Sequence, residues 1–243
     1  MEKSYKILLP ALGKSSRFKT SGIFCDKMFL PINKNWAELV IDSVIKPFCN
    51  ERFEVIIGVN SYLHNQMCEW LGQRSYDNVE IMNIERKSYG QAHTVMMMLD
   101  NLHMDTKEGF SIHNVDTALN YELDSSYTDF SNRIDVFESE GNQWSFIEPI
   151  PETMNVKRVT EKVRISNLCS NGFYQFESFE LYKNIFGQLY NKNTPNELFI
   201  APMYNTLIEN KCALEYRLVS KSEHEFYGTP EEYFKTIGEK DVK

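Results

Sequence analysis

Four short strand-like segments in the first half of the chain, the first two of them apolar runs, are separated by segments with helical periodicity. The four are Lys6 to Pro10, Glu54 to Val59, Val79 to Ile84 and Gly109 to Asn114. Between the first two lies Ala37 to Phe48, with Leu39, Val40, Val44 and Phe48 on one stripe. Leu63 to Leu71 follows the second, and the methionine-rich Gln91 to Leu99 follows the third. Strands that alternate with helices are joined by crossovers and so lie parallel, with helices covering both faces. The pattern predicts an α/β fold: a doubly wound, mainly parallel, Rossmann-like central sheet. Such sheets bind ligands outside the carboxyl ends of their strands. The loop after the first strand and Asp116 after the fourth both fall there.

Beyond Asp116 the alternation stops. Arg133 to Glu138, Trp144 to Pro149, Val156 to Lys162 and Asn171 to Phe176 read as short strands with polar joints. They predict a small antiparallel layer laid over the mouth of the sheet. Phe179 to Leu189 and Phe199 to Glu209 read as helices, and Leu214 to Val219 as a late strand. Thr229 to Ile237 reads as a closing helix with Pro230 in its first turn. No repeat, low-complexity linker or clear boundary interrupts residues 1–243, so one domain is expected.

The net charge of −8 argues against a general nucleic-acid surface, so phosphate ligands would meet a local basic pocket. No charged-then-apolar leader opens the chain, and no apolar run approaches the roughly 20 residues of a membrane span. A cytoplasmic protein without membrane insertion is expected. Cys25, Cys49, Cys68, Cys169 and Cys212 are scattered and form no C-x-x-C pair, so neither disulfides nor structural zinc are expected.

The first strand empties into Ala11-Leu12-Gly13-Lys14-Ser15-Ser16-Arg17-Phe18, and Lys27 follows in Cys25-Asp26-Lys27-Met28-Phe29-Leu30-Pro31-Ile32. Small residues let backbone N–H groups approach phosphate oxygens, while Arg and Lys neutralise charge. Taken alone, the loop reads equally well as an ordinary turn.

Further segments supply a context. Ser88-Tyr89-Gly90-Gln91-Ala92-His93-Thr94-Val95 joins a turn to a helix, and Asn114-Val115-Asp116-Thr117 follows the fourth strand. Later come Ile134-Asp135-Val136-Phe137, Gln143-Trp144-Ser145-Phe146, Val159-Thr160-Glu161-Lys162 and Ser170-Asn171-Gly172-Phe173-Tyr174. Glu197-Leu198-Phe199-Ile200-Ala201-Pro202-Met203-Tyr204-Asn205 and Gly228-Thr229-Pro230-Glu231-Glu232 complete the series. Over nearly the whole chain these motifs resemble the sugar-phosphate nucleotidylyltransferases, whose fold is the nucleotide-diphospho-sugar transferase (GT-A type) sheet. Within them they resemble a capsule-type bacterial branch.

The resemblance implies a Mg²⁺-dependent enzyme in which a sugar 1-phosphate, or a related phosphorylated acceptor, attacks the α-phosphorus of a nucleoside triphosphate. Pyrophosphate leaves, and the product is an activated precursor for capsule or other surface polysaccharide. By the same resemblance, residues 1–120 form the nucleotide-binding half and 121–243 the acceptor half. Ala11, Leu12, Gly13, Lys14 and Ser15 would hold the triphosphate, and Arg17 the leaving pyrophosphate. Lys27 would meet the α-phosphate and the incoming phosphate, and Lys162 the phosphate of the acceptor. Gly90 and Gln91 would read the base, and Asp116 would bind Mg²⁺. Asn114, Glu161, Asn171, Gly172 and Glu197 would surround the acceptor.

The resemblance has gaps. Phe226 stands where many relatives place a second metal-binding aspartate, and a one-residue shift along a strand would turn Glu225 to the opposite face. Leu12 and Ser15 replace frequent glycines, while Asp26 and Met28 replace prolines beside the lysine, which implies a looser Lys27. Two other readings stay open. A GT-A glycosyltransferase consuming a nucleotide sugar would want a D-x-D motif, of which Asn114-Val115-Asp116 supplies one carboxylate. A non-catalytic nucleotide-binding relative draws its support from Phe226. The apolar second half either covers the core or joins copies of the chain, which leaves a homo-oligomer open.

Overall fold

The computed structural model describes residues 5–102, 105–129, 131–192 and 197–240. Strand β1 (Tyr5–Pro10) runs through the loop into α1 (Ser16–Thr20), and α2 (Val40–Ile45) leads to β2 (Phe53–Val59). Then follow α3 (Ser61–Gly72), β3 (Val79–Asn83), α4 (Gln91–Asn101) and β4 (Phe110–His113). The second half contributes β5 (Thr117–Leu119), β6 (Arg133–Glu138), β7 (Ser145–Pro149), β8 (Val156–Glu161) and β9 (Leu168–Phe176). It ends with α5 (Phe179–Lys192), α6 (Met203–Glu209), β10 (Glu215–Leu218), β11 (His224–Phe226) and α7 (Pro230–Lys240).

The central sheet has the order β10-β6-β9-β4-β1-β2-β3. Its β4-β1-β2-β3 half is parallel throughout, with Leu8 opposite both Ile56 and Ile112. The alternation of β1 divides the core: Leu8 joins the apolar layer under α4, α5 and α6, while Ile7 and Leu9 join the layer under α2 and α3. Burial of each such side chain contributes about 1.5–3 kcal/mol.

Two of the strands expected in a separate antiparallel layer, β6 and β9, belong to the central sheet. Strand β9 pairs antiparallel with both β4 and β6, and β10 lies parallel to β6. Eight of its nine residues are buried, as a strand covered on both faces must be. The hairpin β7–β8 branches off β9 at Phe146 opposite Cys169, and β5 pairs with β11 in a two-stranded sheet. These short pairs carry the part of the site that faces away from the parallel half.

Helix ends depart from the periodicity where side chains intervene. The stripe at Ala37 to Phe48 is helical only over Val40–Ile45, because the Asp42 carboxylate accepts the Leu39 N–H at 2.9 Å and fixes the start. Lys46–Phe48, with Pro47, tightens into a 3₁₀ turn. Helix α6 begins at Met203, not Phe199, because Pro202 is its cap. Phe199 and Ile200 are thereby freed for the wall of the cleft.

Asp135 of β6 is fully buried between Tyr127 and Tyr121, whose hydroxyls donate to it at 3.0 and 3.2 Å, and Arg217, at 3.5 Å. Burial pushes its carboxyl up to about 6, against the pull of Arg217 and the two hydroxyls. A carboxyl raised in the folded state takes up protons on folding, so its contribution is fully present below the ordinary value of 3.8 and lost as pH rises through about 6. Urea midpoints should therefore show wild type losing stability relative to Asp135→Asn across that window, by on the order of 3 kcal/mol. Parallel pH profiles of the two proteins would contradict this.

Candidate active site

The cleft lies where β1 and β4 end, with a volume of about 890 Å³. Every residue that the resemblance assigns to binding or catalysis lines it except Gly172. At Gly172, with φ +88°, a Cβ would come within 2.5 Å of Asn114 Cγ, and its carbonyl accepts the Asn114 N–H at 3.1 Å. Gly172 lets the β9 backbone approach and position Asn114, and takes no part in the cleft wall.

On the loop side, Ala11 continues β1 by donating to the Gly58 carbonyl at 2.8 Å. The next N–H groups, of Leu12, Gly13, Lys14 and Ser15, have no acceptor among the described residues. Unpaired donors in a row beside a cleft suit an anion. Ser15 takes the left-handed conformation, φ +48°, that its sequence position shares with glycine. Its hydroxyl donates to Asp26 Oδ2 at 2.9 Å and accepts the Lys27 N–H at 3.3 Å. Asp26 Oδ1 accepts the Met28 N–H at 3.1 Å and caps the turn Lys27–Phe29. Two departures, Ser15 and Asp26, are thus bonded to each other and hold the Lys27 backbone, where Asp26 and Met28 had implied a looser one.

The Lys27 ammonium lies 2.6 Å from Asp116 Oδ2, their side chains 18 % and 25 % exposed. Burial works against ionisation of Asp116, but the charges of Lys27, His113 and Arg17 outweigh it, and the carboxyl sits below its ordinary range. A hard carboxylate that already holds a cation beside a loop of free N–H groups fits Mg²⁺, which takes one or two protein carboxylates and completes its shell with phosphates and water. Among the described residues no three His, Cys, Asp or Glu side chains cluster as metal ligands. Phosphate oxygens would therefore have to supply most of the shell.

Across the cleft, Ser88 folds the turn before α4. Its hydroxyl donates to the Gly90 carbonyl at 2.7 Å, and the Gly90 N–H donates back to it at 3.1 Å. Gly90 has φ +133°, and a Cβ there would stand 2.6 Å from the Leu198 carbonyl oxygen. Leu198 locks the turn from the other side, donating to the Tyr89 carbonyl at 2.8 Å and accepting the Ala92 N–H at 2.9 Å. The same contact carries Glu197 into the cleft. Gln91 Nε2 donates to Asn114 Oδ1 at 2.5 Å, which joins this turn to the segment after β4.

On the hairpin side, Lys162 has φ +57° and places its ammonium 4.4 Å from the Phe199 ring centre and 3.6 Å from Glu161. Ser145 donates to Glu161. Asn171 is only 1 % exposed. Its Oδ1 accepts the Phe173 N–H at 2.9 Å, and its Nδ2 faces His224 at 2.9 Å and Tyr121 at 3.3 Å. The amide is fully engaged inside the protein, so its part in the cleft is to hold β9 and β11 together.

Two more lining residues come from the segment around β11. Phe226 reaches the cleft as expected for its face of β11, while Glu225 points away and accepts from Tyr227 at 2.6 Å and Ser43 at 3.4 Å. Phe226 packs against Phe137 and Trp144. Glu232 also lines the cleft; burial and the charge of Asp116 push its carboxyl up, opposed by the Thr229 N–H and Arg17. Its motif was legible as a helix start, but nothing in the sequence placed it beside Asp116.

The fold is the one found in nucleotide-sugar nucleotidyltransferases of known structure. The chain is similar to a nucleoside-diphosphate-sugar pyrophosphorylase from Vibrio cholerae RC9, at 26 % identity and a TM-score of 0.85, covering 96 % of this chain and 99 % of that one. It shares its fold with the inositol-1-phosphate CTP transferase of T. maritima, at 10 % identity and a TM-score of 0.73, covering 97 % and 95 % of the two chains. A UDP-glucose pyrophosphorylase solved with UDP-glucose matches at 15 % identity and a TM-score of 0.73, with 99 % of each chain covered. No protein-family profile matches the sequence, and no curated protein does. Among the described residues no helix is long and apolar enough to cross a membrane.

Proposed function

We propose that the protein transfers a nucleotidyl group from a nucleoside triphosphate to a sugar 1-phosphate or a related phosphorylated acceptor, releasing pyrophosphate. The observation that carries this reading is that Arg17, Lys27, Lys162 and Asp116 line one cleft, with the Lys27 ammonium 2.6 Å from Asp116. Three cations from separate elements suit a reaction that brings two phosphate-bearing substrates together. A glycosyl transfer has one such substrate and is served less well by them.

In the proposed reaction a phosphate oxygen of the acceptor attacks the α-phosphorus. The bond from that phosphorus to the oxygen bridging it to the β-phosphorus breaks, and pyrophosphate departs with the electron pair. Such transfers depend on positioning and on electrostatic stabilisation. The N–H groups of Leu12 to Ser15 hold the triphosphate, and Arg17 meets the charge growing on pyrophosphate. Lys27, clamped by Ser15 and Asp26, spans from Asp116 towards the α-phosphate, and Lys162 binds the acceptor phosphate. Gly90 and Gln91 face the base, while Glu161 and Glu197 accept from hydroxyls of the acceptor. Mg²⁺ bound at Asp116 would neutralise charge on the triphosphate. The product serves as an activated precursor for capsule or other surface polysaccharide, made in the cytoplasm.

A thermal-shift panel tests the donor side. One of the five common nucleoside triphosphates, with Mg²⁺, is expected to raise the melting temperature of wild type by several degrees, since a ligand at a hundred times its Kd stabilises by about 2.7 kcal/mol. Arg17→Ala should lose most of that shift. If none of the five stabilises wild type, the reading fails.

A further inference from the structure

We propose that Glu232 is the second carboxylate facing the magnesium ion, in place of the residue that Phe226 cannot supply; the inference rests on the nucleotidyl-transfer reading above. Strand β11 brings Phe226 to the cleft, where its ring packs 5.1 Å from that of Phe137 and 5.0 Å from that of Trp144, between centres. An aromatic ring offers a cation of this kind no oxygen ligand. Glu225 is turned away and held by Ser43 and Tyr227.

The chain then passes Gly228, and the geometry there singles out Glu232. A Cβ built on Gly228 would lie 3.1 Å from Glu232 Oε2 and 3.4 Å from Asp116 Oδ2. The two carboxylates therefore flank one point on the cleft wall, kept open by the absence of a side chain at 228. The Lys27 ammonium on Asp116 shows that this wall already accepts a cation.

Glu232 has another task. Its Oε2 accepts the Thr229 N–H at 3.0 Å, and its own N–H donates to Thr229 Oγ1 at 3.2 Å, a capping box for α7. That task needs an acceptor at 232, which Gln supplies as well as Glu. A negative charge is required only if the side chain also serves a cation, so Glu232→Gln separates the two.

The experiment measures the affinity of each of the five common nucleoside triphosphates by calorimetry, without acceptor, in Mg²⁺ and in EDTA. Wild type, Glu232→Gln and Asp116→Asn are compared. In wild type Mg²⁺ should tighten the binding of one triphosphate. Glu232→Gln should reduce that enhancement about 10- to 100-fold, the loss typical when a carboxylate supporting a metal site is removed. Its affinity in EDTA should hold or rise, since one negative charge has left the neighbourhood of the phosphates. A purely structural role would move both affinities together or neither, and its melting temperature should stay within a few degrees of wild type.

An enhancement intact in Glu232→Gln but lost in Asp116→Asn overturns the assignment of Glu232 and leaves the nucleotidyl-transfer reading standing. Triphosphate binding indifferent to Mg²⁺ in wild type overturns the metal role of both carboxylates, and no triphosphate binding at all overturns the parent reading as well. Should Glu232→Gln fail to fold, Glu232→Asp keeps the charge and the cap on a shorter arm. A smaller enhancement there supports the assignment, and an unchanged one overturns it.

Discussion

Asp116→Asn is expected to lower kcat by roughly a thousandfold, the upper range for loss of one electrostatic contact made in the transition state. The substitution keeps the shape of the side chain and removes its charge. In the proposed site it takes away one carboxylate that would hold Mg²⁺ and also the partner that holds the Lys27 ammonium at 2.6 Å. The protein should stay folded, because a partly exposed ion pair is worth only about 0–1 kcal/mol and Lys27 can turn to water. Steady-state pyrophosphate release and a melting curve on the same preparation check both halves. Undiminished turnover would remove Asp116 from the mechanism, and a collapsed melting curve would make it a structural residue.

Gly90→Ala is expected to have the largest effect on structure. The new methyl group would meet the backbone nitrogen and carbonyl oxygen of Leu198, and φ +133° is a conformation that L side chains rarely adopt. Neither obstacle can move cheaply, since Leu198 is tied to Tyr89 and Ala92 by backbone hydrogen bonds. A loss of about 2–4 kcal/mol in unfolding free energy follows from strain of this kind at a turn packed against the buried Leu198. Because the same contact sets Gln91 and Glu197 on the cleft wall, triphosphate affinity should fall as well. Urea denaturation and calorimetry of the folded variant measure the two effects. A variant as stable as wild type would contradict the close approach of Leu198.

How much of this was legible in the sequence differs between the two halves of the chain. In residues 5–119 the strands are short, rich in apolar residues at their centres and separated by helical segments, so local pattern and long-range pairing agree, and Gly13 and Asp116 fall just past the ends of β1 and β4. In the second half they diverge. Strand β9 carries Ser170, Asn171 and Gln175 among its apolar residues. Those polar groups are buried and bonded to other segments: Gln175 Nε2 donates to the Tyr127 carbonyl at 3.0 Å, although its Oε1 has no partner among the described residues, and Asn171 is bonded at both ends of its amide. A strand whose polar residues find partners from distant segments looks half-exposed in sequence, and so a central strand read as part of a covering layer.

The site shows the same limit. Arg17, Lys27 and Lys162 carry their chemistry in their residue type and their motif. Ser15 and Asp26 looked like departures because their compensation is a hydrogen bond across eleven positions, which no local pattern reports. Glu232 was legible only as the partner of Thr229 in a helix cap. Its nearness to Asp116 depends on how α7 and β11 return to the end of β4, a property of the assembled fold alone.

The measurement that bears most directly on the central claim is a transfer assay with triphosphates labelled at the α-phosphorus, each paired with a set of sugar 1-phosphates and related phosphorylated acceptors in Mg²⁺. One base should pass its label to an acceptor phosphate with release of an equal amount of pyrophosphate, and Asp116→Asn should not. Label that stays on the triphosphate with every acceptor, together with release of sugar from a nucleotide sugar, would contradict nucleotidyl transfer and make the cleft that of a glycosyltransferase.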